Sequence, residues 1–387
     1  TIISDRKENQ ERIDILFDFM TQKGDEDDAD FSYRKFQNLY DFELKAGKDV
    51  ILDTLWKKLT HQTMREAWLE VKRMYDTLVA WYEDSMYYHY VGFLTTQGKT
   101  LHDIVTGIEK AKKDENGEEI KPWTREHIET ALKRLMAQTF NEMTAVRPED
   151  IDGWTYNGNN DIRGLLLLMN VETYKQTKYQ RFPFHSYIKE EWDIEHIDSQ
   201  NEATGLRASE DRLRWMRLTS DILMKEHHAI PNEKEAKALA EELTSVVREK
   251  TENGAIEDKD VKGLDSIYPT LYVKVVEHYS GKISEQQGNK HALGNLTLLD
   301  TALNRSYQDA PFPYKRQCVM DTDLRGDKFV PMCTKNVFLK FYTNSNSSAS
   351  FLDSMRWNKQ DQDNYLAAIH KVVDPIFVIY ISKKSHE

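Results

Sequence analysis

The chain has 387 residues, 39% hydrophobic and 30% charged, which passes the ~250–300 residues at which one core stops growing and predicts two or three cores. Its formal net charge of −12 argues against a surface that binds polyanions all over, so any such contact should be local. No apolar run approaches the ~20 residues of a membrane span, Leu165–Met169 being far too short, and Cys318 and Cys333 alone make neither a disulfide scaffold nor a Cys-Cys zinc site, which fits a reducing cytoplasm.

Thr1-Ile2-Ile3 runs into charges, unlike a secretory leader. An N-terminal Thr suggests one part of a longer protein. Residues 1–172 read as a helical domain. Ile13, Leu16, Phe17 and Met20 follow the spacing of an amphipathic helix, and Asp25–Asp30 reads as an exposed acidic loop. A longer helix is predicted through Trp68, Val71, Tyr75, Leu78 and Tyr82. Asp114-Glu115-Asn116-Gly117 signals a turn, after which Thr124 could cap a helix to about Met143. The many Trp and Tyr residues of this half read as core, and His89 as a packed histidine.

From about Tyr174 the texture changes. Trp192–Ile197 alternates polar and apolar residues like a short strand. Residues 201–290 return to helical patterns, with Leu213 and Met216 on one segment and Ala236, Leu239, Leu243 and Val246 on another. His291–Leu299 resumes strand character, and Pro311–Met320 reads as a helix opened by prolines. Residues 301–341 hold seven Lys/Arg against four Asp, a local basic excess. Asn344–Ser350 reads as a loop, Asn358–Val373 as a helix, and Ile376–Ile381 as an apolar strand after Pro375. There is no internal repeat.

Hydrolysis of a phosphodiester needs a base to take a proton from water and a cation to stabilise charge developing on phosphate. A histidine with its ordinary pKa of about 6.5 is largely neutral in a cell, and oxygen ligands suit Mg²⁺. Glu195-His196 could supply both, although neighbours on a strand point to opposite faces. Read singly, His196 could be a core histidine, Asn295 a turn residue after Gly294, and Asn304 a helix cap. His227, His228 and His291 have no ligand partners at a recognisable spacing and read as structural. Asp193 and Asp198 read as solvated strand-end acids.

Together these residues form a pattern. Ile194-Glu195-His196-Ile197-Asp198-Ser199-Gln200 resembles the first motif of HNH nucleases, Gly294-Asn295-Leu296-Thr297-Leu298-Leu299 resembles the second strand with its Asn, and Asn304 lies nine residues on. With Phe182-Pro183-Phe184 and Phe329–Lys335, the combination is similar to the C-terminal domain of GmrSD-type, modification-dependent restriction enzymes. The resemblance covers residues 175–200 and 285–345 and extends weakly through the helical half. It implies an α+β, predominantly helical fold: a ββα-metal (HNH) core in residues 173–345, interrupted by a helical insertion at 201–290, with a tail at 346–387.

The resemblance further implies His196 as general base, Glu195 and Asn304 as ligands to Mg²⁺ or Mn²⁺, and Asn295 as a brace for the loop or the imidazole. It makes Arg305, Lys315 and Arg316 candidates for DNA phosphate contacts. The expected activity is a metal-dependent DNA endonuclease that nicks one strand, in restriction of modified or foreign DNA and defence against phage. The family's Asp-Gly-Gln-Gln-Arg motif is missing here, as is a Gly-Lys-Ser/Thr phosphate loop, so the NTPase module is expected to lie outside this chain. Two further expectations are a homodimer through the helical half and no membrane association. The alternative is a non-catalytic DNA- or partner-binding module on the same fold.

Overall fold

A computed structural model describes residues 61–113, 117–141, 148–158, 161–177, 179–198, 209–229, 234–251, 261–280, 289–303, 310, 312–326, 328–342 and 357–384. The expected helix at Ile13–Met20, the acidic loop at Asp25–Asp30 and the loop at Asn344–Ser350 lie outside these residues. The chain divides into two compact units. One holds residues 1–144, 174–185 and 379–387, the other 145–173 and 186–378. The stretch 145–172, placed with the N-terminal domain by sequence, clusters with the second unit.

The first unit contains α1 (His61–Glu83), α2 (Ser85–Thr96), α3 (Leu101–Lys110) and α4 (Arg125–Asn141). Asp84 starts α2, its carboxylate accepting from the Met86 N–H at 2.9 Å and the Tyr87 N–H at 3.2 Å. This satisfies amides that a helix start leaves open. His89 is buried, and its Nε2 accepts from the Phe182 N–H at 3.1 Å. Burial pushes its imidazole down to about 4, which suits a packed neutral histidine.

In the second unit, α5 (Ile162–Gln176) precedes α6 (Phe184–Lys189) and strand β1 (Trp192–His196). The insertion forms α7 (Ser209–Ala229), α8 (Lys234–Lys250) and α9 (Val261–Ser280). Their core is apolar, with Leu213, Trp215, Leu223, Leu243, Tyr268 and Val275 buried. Within it, the buried Glu226 and His278 meet at 3.0 Å, tying α7 to α9. Strand β2 (Leu296–Asp300) follows, then α10 (Phe312–Arg325), α11 (Met332–Phe338) and α12 (Lys359–Lys384). The described residues are therefore mostly helical, with one small sheet. None of the described helices is long and apolar enough to cross a membrane.

One element differs from expectation. Residues 376–381 continue α12 through Pro375 instead of forming a strand. Tyr365, Ile369, Val373, Ile376 and Phe377 are all buried, and that spacing is the helical one. Burial along this stripe outweighs the backbone hydrogen bond that a mid-helix proline removes.

Candidate active site

The site is built on β1 and β2, which pair antiparallel from Trp192 opposite Asp300 to His196 opposite Leu296. β2 is buried along its whole length, and its entry is tightly packed. A Cβ on Gly294 would lie 2.6 Å from the Gln362 carbonyl oxygen of α12, so this glycine permits close backbone approach. Trp357 Nε1 donates to the Gly294 carbonyl at 3.3 Å, fixing the entry further.

Asn295 joins the two strand ends. Its carbonyl accepts from the Ile197 N–H at 2.8 Å. Its side-chain oxygen accepts from the Asp198 N–H at 3.0 Å, and its Nδ2 donates to the carbonyls of Asp198 at 2.9 Å and Lys290 at 2.8 Å. The side chain is fully buried. Each such bond is worth about 1 kcal/mol net, so Asn295→Ala should cost ~3 kcal/mol, readable by urea denaturation. Stability within ~1 kcal/mol of wild type would show that these bonds do not hold the loop.

His196 ends β1. Its ring centroid lies 4.6 Å from that of Tyr156, at 60°, and 5.9 Å from that of His291, at 88°. Burial first, then the Lys315 ammonium and His291, push the imidazole down to about 3. A cationic imidazole is thus disfavoured and the ring is held neutral at cellular pH.

Glu195 is buried and pairs with Lys315 of α10, whose Nζ also donates to the His196 carbonyl at 2.7 Å. Lys315 thus serves both neighbours, reaching the side chain of Glu195 and the backbone of His196. A buried ammonium requires such partners. Lys315, expected as a phosphate contact, is only 1% exposed and committed inside the fold. Arg316, expected likewise, is half-buried, and its Nε donates to the Phe338 carbonyl at 2.8 Å.

Three more cations of the basic stretch are also paired. Lys328 pairs with Asp300 at 2.7 Å, Lys335 with Asp323 at 3.0 Å, and Lys340 with Asp361. Two of these three acids, and Glu195, come from outside residues 301–341, so counting charge within that window overstated its free positive charge.

Among the described residues, no group of three His, Cys, Asp or Glu side chains could hold a metal. Glu195 offers hard oxygen donors of the kind Mg²⁺ takes, with Lys315 against Oε1. Asn304, the other expected ligand, and Arg305 lie outside the described residues. The donor chemistry of the Glu195–Asn304 pair, carboxylate and amide oxygen, fits a hard divalent ion.

Tyr156, given no role from sequence, and His291, read there as structural, both pack against the His196 ring. Tyr156 gives no sequence signal, being far from both motifs. His291 precedes Asn295 in the same segment, and that shared segment was the available clue.

Residues 229–371 match the family described as GmrSD restriction endonucleases, C-terminal domain. The matched span contains His291, Asn295, Asn304, Arg305, Lys315 and Arg316. Glu195, His196 and Tyr156 lie before it, and β1–β2 pairing and ring packing bring them to the matched segment. No curated protein and no solved structure matches the chain.

Proposed function

We propose, from the GmrSD C-terminal domain at residues 229–371, that the chain is a nuclease of the restriction-endonuclease type acting on DNA. The observation that carries the reading is His196, an imidazole at a strand end whose following loop Asn295 ties to β2. In this reading the core is of the HNH kind, and His196 Nδ1 or Nε2 accepts a proton from the attacking water. The water oxygen bonds to phosphorus as the bond to the leaving deoxyribose oxygen breaks, and that oxygen takes up a proton from solvent. Asn295 keeps the loop after β1 in register while this happens. Glu195 and Asn304 would hold Mg²⁺ or Mn²⁺, which supplies positive charge for the phosphate oxygens. One such site cuts one strand, so the product is a nick, in a role restricting modified or foreign DNA such as phage DNA.

The test is conversion of supercoiled plasmid to open circles. Wild-type protein with Mg²⁺ or Mn²⁺ should nick, and EDTA should stop it while leaving the protein folded by circular dichroism. Nicking that persists unchanged in EDTA would sink the metal-dependent reading.

A second reading is a non-catalytic DNA- or partner-binding module. It is favoured by the Lys315–Glu195 ion pair, which occupies one oxygen of the carboxylate that a metal would use. It predicts duplex affinity in EDTA and no cleavage with either ion.

A further inference from the structure

His196 is flanked by two rings to which no role has yet been given, and the backbone holds both on one frame. Thr155 bridges antiparallel to Ala292. The Tyr156 N–H donates to the His291 carbonyl at 2.9 Å, and the Leu293 N–H to the Trp154 carbonyl at 3.1 Å. Trp154 is buried and anchors this short ribbon. Asn295, one turn further along the same segment, clamps the Lys290 carbonyl and the loop after His196. The two rings and the imidazole they touch are therefore mounted on a single hydrogen-bonded frame.

Tyr156 is unusual within that frame. The residue is 41% exposed, so burial of its own apolar area is only a partial reason for its placement. What the ring does accomplish is to cover one side of the His196 imidazole at 4.6 Å, while His291 stands edge-to-face at 5.9 Å. A two-torsion aromatic side chain is a rigid wall, and catalysis is sensitive to displacements of about 1 Å in a base.

We propose that Tyr156 is a positioning residue for His196, acting through its ring and not its hydroxyl, with His291 as a second ring against the imidazole. The proposal rests on the nuclease reading for its catalytic consequence, but the packing it asserts can be measured without cleavage.

Two experiments test it on the full chain. In plasmid nicking with Mg²⁺, Tyr156→Ala should lower kcat about 10- to 100-fold with KM little changed, and Tyr156→Phe should cleave like wild type. The melting temperature of Tyr156→Ala should fall only a little, because the residue is partly exposed. Separately, diethyl pyrocarbonate modification of His196, resolved from His291 by peptide mass, should be several-fold faster in Tyr156→Ala and unchanged in Tyr156→Phe. Wild-type kcat and an unchanged modification rate in Tyr156→Ala overturn the proposal. So does a Tyr156→Phe variant as impaired as Tyr156→Ala, which would assign the effect to the hydroxyl. If wild type does not nick, or His196→Ala nicks equally well, the nuclease reading fails. The modification rates then decide alone whether Tyr156 holds the imidazole.

Discussion

His196→Ala should lower plasmid nicking about 10²–10⁴-fold, the usual contribution of a positioned general base, with the melting temperature close to that of wild type. The loss should fall on kcat, because the imidazole is asked to accept a proton and not to hold DNA. Equal nicking by variant and wild type would remove His196 from the chemistry and leave the family match without a base. The pH dependence carries a second signature. Burial, the Lys315 ammonium and His291 hold the imidazole down to about 3. Its protonation should therefore not cut kcat/KM near the ordinary histidine value of about 6.5. An acid limb at that ordinary value would mean that the ring is solvated or that another histidine is the base.

The same shift has a consequence for stability. The unfolded chain takes up this proton near about 6.5, whereas the folded chain resists it down to about 3. Below the ordinary value the unfolded state therefore binds more protons, and the contribution of this group to stability falls as pH drops through that window. Above it, neither state carries the proton and the contribution is constant.

How far these features were legible in the sequence depends on the range of the interactions behind them. Alternation around Glu195-His196 located β1, because local pattern and strand register have the same period; the strand expected over His291–Leu299 begins only at Leu296, after a tight turn at Leu293–Asn295. The stripe Leu213–Met216 and the run from Ala236 located helices of the insertion for the corresponding reason. The α12 segment misled because Pro375 is a strong local breaker, whereas the stripe that overrides it spans Tyr365 to Phe377. The burial of Lys315 was not legible because its charge was counted among sequence neighbours, and its partner Glu195 lies on a strand on the far side of the insertion. Tyr156 could not be read at all, since only the Thr155–Ala292 bridge brings it to the site.

Lys315→Met should cost about 3–5 kcal/mol, the range for removing one partner of a buried ion pair. The substitution keeps a flexible chain of similar length, so the lost volume is small and the effect is electrostatic. Two groups lose Lys315: the Glu195 carboxylate, buried on β1, and the His196 carbonyl, which loses its 2.7 Å donor. Taking an ammonium away from beside a buried carboxylate is costly. Urea denaturation at neutral pH reads the cost. If Lys315→Met unfolds outright, the double variant Glu195→Gln/Lys315→Met still decides the matter. Removing both charges should recover a large part of the loss, because the penalty belongs to the buried carboxylate. A Lys315→Met protein within ~1 kcal/mol of wild type would resemble loss of an exposed charge. That outcome would return Lys315 to the surface and to the phosphate-contacting role that its place in a basic stretch suggested. The expected result keeps it inside, where one ammonium sets the strand end carrying both Glu195 and His196.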